Sequence, residues 1–407
     1  MNLKRMTAIV ALVGVTLTAG ACSSDTKDSS SSKDKQNEVV VKEAKDSTAL
    51  LSKAAGHMSG TAGVLSGAFS AQFPEKFAGD TTSKASELRS GLTFLLQEHV
   101  YLAGIATQAA VDGADNKNEV AALDANSVKL SEAISSVYNE EAGDQFLELW
   151  RKHIGFFVDY TTGKATGDDA KTAKALADLT GYGSDFGAFI ESATEGAVPK
   201  SAIEENLGMH VVTLTGAIDA QVAGDADAVS KLRVAAGHMS GTAKVLAGAF
   251  AAQFPDKFPG DAGDGASELR AGLTALLQEH VYLAGITTDT ALAGKEFDNQ
   301  AAALDENSVA LSEAVASVYG ADAGTQFLEL WRKHIGFFVD YTTGKATGDD
   351  DAVKTALSDL EGYGGDFGAF LESATNDGLP KDAVAENLAM HVETLTAAID
   401  AQAKEAK

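Results

Sequence analysis

The chain has 407 residues, a formal net charge of −26 at pH 7 and a single cysteine. Its acidic residues are spread along the sequence and no basic patch interrupts them, which argues against binding to nucleic acid or to anionic lipid headgroups. With one cysteine no internal disulfide can form, so side-chain packing has to stabilise the fold. Each half of the chain is long enough to bury a core for that purpose.

The N-terminal 21 residues have the pattern of a secretion signal. Lys4 and Arg5 precede an apolar run that is too short for a lasting membrane span. The small residues before Cys22 resemble the lipobox of bacterial lipoproteins, with Ala19 where that family usually has Leu. The resemblance implies that Cys22 is acylated, as with palmitate, and anchors the protein at the extracytoplasmic face of the membrane. Secretion with an unmodified thiol is the alternative.

Residues 22–46 are rich in Ser, Asp, Lys, Asn and Glu and contain almost no apolar residue before Val39. Such a segment cannot bury enough surface to offset the entropy lost on ordering. The composition therefore predicts a disordered tether between the lipid anchor and the folded part.

The rest of the chain consists of two copies of one domain, predicted at residues 47–224 and 225–407. AGHMSGTA begins at Ala55 and again at Ala236, and FLELWRKHIGFFVDYTTGKATGDD begins at Phe146 and again at Phe327, in each case 181 residues later. The repeat unit is therefore a whole domain and not a short solenoid motif.

Apolar residues at spacings of three and four predict about six helices in each copy. In the first copy they run from about 47 to 72, 86 to 111, 120 to 138, 143 to 162 and 170 to 193, and the sixth begins with Pro199 in its first turn. Pro74 ends the first helix, and Gly181 and Gly183 are expected to interrupt the fifth. No alternating pattern of comparable length indicates a strand. We expect an all-α fold of two tandem antiparallel helical bundles.

Eight histidines, all of them in the repeated part, lie on the apolar stripes of the predicted helices: His57, His99, His153, His210, His238, His280, His334 and His391. Residues near the middle of antiparallel helices lie at similar heights, so four imidazoles per copy are expected to form one inward polar layer. Burying unpartnered polar groups is unfavourable by on the order of 1 to 3 kcal/mol each. The pattern therefore favours a shared ligand, either a transition metal ion or non-covalent haem. A hydrogen-bonded polar core is the alternative.

Several side chains beside the histidines are candidate accessory ligands. They are Asn206 and Asn387, one turn before a histidine, and Glu98, Glu279, Met58, Met239, Met209 and Met390, each next to one. Neighbouring helical residues do not share a face, so a surface role suits the glutamates better and core packing suits the methionines better. Methionine sulfur would favour copper if it did bind. The glycines around His57 and His238 predict close helix contact, or else room for a flat cofactor.

Several familiar sites are excluded by spacing. Glu-x-x-His, His-Glu-x-x-His and Cys-x-x-Cys-His are all absent, as are a nucleophile elbow and a Gly-rich phosphate loop. An imidazole-rich site suits copper or zinc better than Mg²⁺ or Ca²⁺, and the sequence leans against an enzyme.

The segment from Leu92 to Ile218 resembles a group of uncharacterised secreted helical-bundle proteins of Gram-positive bacteria. The shared runs are LLQEHV, NSVKLSEAI, LELWRKHIGFFVDY and MHVVTLT. The resemblance implies the fold and the positions of three histidines. From all this we expect a cell-surface lipoprotein that buffers, stores or delivers a metal ion or haem. A structural or partner-binding surface module with an apo histidine core is the other hypothesis.

Overall fold

In the computed structural model, residues 46–406 are described, and the predicted signal, Cys22 and nearly all of the predicted tether lie outside them. The described part is all-helical and contains no strand, which confirms the predicted fold class. Six helices belong to each repeat. They are α1 (Ser47–Gln72), α2 (Lys84–Val111), α3 (Lys117–Val137), α4 (Glu140–Thr166), α5 (Asp169–Ala193), α6 (Lys200–Ala223), α7 (Ala228–Gln253), α8 (Gly265–Leu292), α9 (Asp298–Tyr319), α10 (Ala321–Thr347), α11 (Asp350–Ala374) and α12 (Lys381–Glu405).

Polar caps set many of the helix ends. The side chain of Asp46 accepts a hydrogen bond from the first turn of α1, and Asn139 does the same for α4. Gly167 ends α4 in the left-handed conformation that favours glycine. The predicted interruption of the fifth helix is wrong, because α5 continues through Gly181 and Gly183. Helix hydrogen bonds and packing on both sides outweigh the low helix propensity of two glycines.

The first helix of each repeat packs in the bundle of the other repeat. α7 follows α6 directly and lies between α6 and α2, so the first bundle consists of α2 to α7. α1 lies between α8 and α12, and it completes the second bundle of α8 to α12. The backbone N–H of Ser47 donates to Glu405, which joins the first helix to the end of the last. The chain therefore has the arrangement of a helix-swapped dimer fused into one polypeptide.

The two connections that make this exchange possible pair with each other. The N–H of Ala85 donates to the carbonyl of Pro259, and the N–H of Ala266 donates to that of Ala78. Gly79 and Gly260 have positive φ values of 120° and 112° in these connections. A Cβ on Gly79 would lie 2.0 Å from the Asp264 carboxylate, so only glycine allows this crossing.

The two bundles meet along α2 and α8 around a buried polar network. The rings of Tyr101 and Tyr282 stack with centroids 5.2 Å apart. Tyr282 donates to Glu98 at 3.0 Å, and Tyr101 donates to Glu279 at 3.1 Å. Burial raises the pKa of both phenols well above the usual value, which keeps them protonated as donors.

None of the described helices combines the length and the apolar composition that crossing a membrane requires.

Candidate metal centre

Each bundle has three histidines at its centre, one from each of three alternate helices. α2, α4 and α6 contact one another inside the first bundle and carry His99, His153 and His210. α8, α10 and α12 do the same in the second bundle with His280, His334 and His391. We call these sets triad 1 and triad 2. All six side chains are between 1% and 3% exposed.

The ring nitrogens of each triad are close enough to share one ion. The Nε2 atoms of His99 and His153 are 3.3 Å apart, and those of His280 and His334 are 3.4 Å apart. In each triad one nitrogen per ring lies within 4.8 Å of the others. Two nitrogens that bind one tetrahedral zinc ion at 2.0 to 2.1 Å are separated by about 3.3 to 3.4 Å. The closest pair therefore already has the spacing of two ligands, and the third ring is a short movement away.

Aromatic side chains enclose triad 1. The Trp150 ring lies 4.8 Å from the ring of His99 and 4.6 Å from that of His153. Tyr182 stacks on His153 at 5.1 Å, and Phe157 meets His210 at 5.6 Å. Trp331, Tyr363 and Phe338 repeat these contacts around triad 2. This apolar wall excludes water and strengthens any interaction inside it.

The wall keeps the imidazoles neutral. Burial, with a smaller contribution from His210, lowers the pKa of His99 to about 3. Burial, with a smaller contribution from His238, lowers the pKa of His210 to about 4. The pKa values of His334 and His391 fall to about 3 and about 4 mainly for the same reason. At neutral pH no proton has to be displaced before these rings coordinate a metal ion.

Several buried polar atoms around triad 1 have no hydrogen-bond partner among the described residues. They include Nδ1 of His99 and of His210, Nε1 of Trp150 and the hydroxyl of Tyr182. Buried polar groups are normally paired, so these exceptions require an explanation. A metal ion would satisfy a ring nitrogen that has a lone pair, whereas the N–H of Trp150 only donates and needs an acceptor such as water or an anion. The donor chemistry and the spacing both fit a metal ion.

The fourth histidine of each predicted set does not point into a triad. His57 and His238 are only half-buried. Nε2 of His238 lies 3.1 Å from the carbonyl oxygen of Asn206, and Nε2 of His57 lies 3.1 Å from that of Asn387. The prediction of four inward rings per copy is therefore wrong in the fourth. The reason is the place of the helix in the bundle, because α7 packs against α2 and α6 from outside and α1 packs in the same way against α8 and α12.

The candidate accessory residues differ in where their side chains lie. The side-chain oxygens of Asn206 and Asn387 accept hydrogen bonds from Thr242 and Thr61. Met58 and Met239 are buried in the core, as predicted. Met209 and Met390 are 52% and 41% exposed, so the prediction that they pack in the core is wrong. The glycines next to His57 and His238 make no close helix contact either, because a Cβ at Gly56, Gly60, Gly237 or Gly241 would meet nothing within 4 Å.

The surface role favoured for Glu98 and Glu279 is also wrong, because both are buried at the junction of the bundles. Glu279 accepts from Arg233 at 2.6 Å, and the nearest cation to Glu98 is Lys129 at 3.9 Å. Sequence reasoning did not find Arg233, because its counterpart in the other repeat is Ser52. Tyr182 was also missed, although its position between two glycines that both repeats share was a usable signal.

Comparisons with protein-family models, with curated proteins and with solved structures found no match for this chain.

Proposed function

We propose that this protein binds one transition metal ion, zinc or copper, at each histidine triad. The observation that carries the proposal is the convergence of three buried, neutral imidazoles with nitrogens within 4.8 Å of one another, in both bundles. Neutral imidazole is a preferred ligand of zinc and copper. The two triads supply two sites per chain.

A single ion fits the triads better than haem does. Two axial histidines have to lie on opposite faces of the macrocycle, which requires open space on all sides of their coordinating nitrogens. Trp150, Tyr182 and Phe157 pack directly against the rings, where the macrocycle would have to lie. An ion needs only the space between the nitrogens.

The two exposed methionines do not supply a sulfur ligand that would favour copper. Met209 and Met390 are exposed, so neither thioether is directed into a triad. Three imidazoles leave one position of a tetrahedral zinc ion for water or an anion, and this distinguishes the triads from closed four-ligand structural sites. An incompletely filled coordination sphere suits reversible binding, as in buffering, storage or delivery. With an acylated Cys22, this would take place at the extracytoplasmic face of the cell membrane.

The test is metal analysis of tag-free protein after separate exposure to Zn²⁺ and Cu⁺. We expect two tightly held ions per chain for one of the metals. The double substitution H99A/H153A should leave one ion, in triad 2, and H280A/H334A should leave one ion, in triad 1. Circular dichroism reports whether each variant remains helical, and either double variant suffices if the other fails to fold.

A matched control is M209L/M390L, which changes the exposed methionines and should retain both ions. The proposal fails if neither metal binds above the level of the quadruple histidine variant and a chelator leaves the melting temperature of the wild-type protein unchanged. That outcome would favour the hydrogen-bonded core, because the distance of 3.3 Å between Nε2 atoms also permits a long N–H···N bond.

A further inference from the structure

The buried position of each triad raises the question of how an ion reaches it, since its three side chains are almost completely inaccessible. We propose that His238 and His57 are exchange ligands, which hold an ion transiently as it passes between solvent and a triad. His238 would serve triad 1, and His57 would serve triad 2. This inference rests on the proposed function, since it names the route to the same sites.

His238 contacts the helix that carries the triad ligand His210. Its Nε2 lies 3.1 Å from the carbonyl oxygen of Asn206 on α6. In an α-helix that carbonyl is the acceptor for the backbone N–H of His210, four residues later. The imidazole of His238 therefore lies against the turn of α6 that carries a triad ligand. His57 has the same relation to Asn387 and His391.

The hydrogen bond also decides which nitrogen is free to coordinate. A carbonyl oxygen only accepts, so Nε2 of His238 carries the proton in the hydrogen-bonded ring. In the neutral ring Nδ1 then has the lone pair. Anchoring one nitrogen to the backbone while leaving the other available is the usual way in which proteins orient a histidine ligand.

Three exposed glycines lie on the two helices that carry His238 and its hydrogen-bond partner. Gly237 and Gly241 on α7 and Gly208 on α6 are exposed, and a Cβ at any of them would meet nothing within 4 Å. Each glycine in a helix is unfavourable by up to about 1 kcal/mol relative to alanine. Access to His238 is a physical reason for keeping glycine at positions where packing does not require it.

The experiment measures exchange rates at one triad at a time in the full-length chain. In the H280A/H334A background only triad 1 remains, and it is loaded with Co²⁺, whose d–d absorbance reports binding. H238Q should slow both Co²⁺ uptake and Co²⁺ release to a chelator by about tenfold, which corresponds to about 1.4 kcal/mol in the activation barrier of each direction. The equilibrium affinity should stay within about twofold, because a group that assists passage in both directions does not change the end states.

Two controls distinguish a role of His238 in metal exchange from a role in helix packing. T242V removes the neighbouring hydrogen bond from α7 to Asn206, 2.7 Å long, and keeps the imidazole, so it should leave the rates unchanged. In the same background H57Q should also have no effect, because His57 lies beside triad 2. In the H99A/H153A background the assignments reverse, and H57Q should slow exchange while H238Q should not.

The inference is overturned if H238Q leaves the rates unchanged, or if it weakens equilibrium binding without slowing uptake, which would make His238 a resident ligand. An equal effect of T242V would assign the slowing to loosened helix packing. Failure of Co²⁺, Zn²⁺ and Cu⁺ to bind the wild-type chain would overturn the proposed function itself. Binding with unaltered exchange would overturn only the role of His238 and His57.

Discussion

Acidification should destabilise the metal-free protein well before its carboxylates become protonated. The triad histidines have pKa values far below 6.5 in the folded protein, because burial disfavours the charged ring. In the unfolded chain they return to about 6.5. Between these values the unfolded chain binds more protons than the folded one, so the free energy of unfolding falls as the pH falls from about 6.5.

The loss of stability per histidine follows from the difference between the pKa of histidine in the unfolded chain and the pH of the solution. At pH 5 that difference is about 1.5 units, which corresponds to about 2 kcal/mol per histidine. For His99, His210, His334 and His391, whose folded pKa values are about 3 or 4, the sum is about 8 kcal/mol. His153 and His280 add to this sum, because burial lowers their pKa values well below the usual value as well. The whole stability of a folded domain is about 5 to 15 kcal/mol, so unfolding by acid is expected between about pH 6 and pH 4.

The assay is urea denaturation followed by circular dichroism at pH 7 and pH 5, with a chelator present. Added salt at about 1 M shortens the Debye length to about 3 Å, which suppresses the change in repulsion among the acidic surface residues. The variant H210Q/H391Q, which removes two of the six buried imidazoles, should lose about a third of the pH-dependent difference. A difference between pH 7 and pH 5 below about 2 kcal/mol, or one that this variant leaves intact, would refute the reasoning.

Three further predictions concern packing and charge. G155A should raise the free energy of unfolding by about 0.5 to 1 kcal/mol, because this exposed helical glycine has open space around it. G163A should lower the free energy of unfolding, since its Cβ would lie 2.5 Å from the Thr172 hydroxyl, and urea midpoints test both signs. R233A should destabilise the protein by about 3 to 5 kcal/mol, because it leaves the buried Glu279 without its cation. K129A should destabilise it less, because the Lys129 nitrogen lies 3.9 Å from Glu98, and equal losses in denaturant titrations would contradict this. The fragment 47–224 should form a dimer in which α1 of each copy takes the place of α7 in the other, and a monomer in sedimentation equilibrium at micromolar concentration would count against it.

Local features were readable from the sequence because their causes are local. The apolar spacing predicted the first helix at 47–72, where α1 lies. Pro199 marked the start of the sixth helix, but it is the N-cap residue before α6 and not part of its first turn. The same spacing placed His99, His153 and His210 on inward faces, where all three are buried. Periodicity did not predict Tyr182, because two glycines beside it concealed a continuous helix. It also gave the wrong environment for Glu98, whose partners come from another helix of the same repeat and from the other repeat.

The sequence by itself determined that the chain is a duplicated helical protein whose buried faces carry histidine. Only the tertiary structure decided which copy of the first helix completes which bundle, and with it the positions of His57 and His238. The physical reason is that the two repeats present nearly the same packing surface, so α1 and α7 fit either bundle by side chain alone. The short connection after α6 and the paired crossing of the two longer connections select one arrangement, and this selection depends on contacts between residues far apart in the chain.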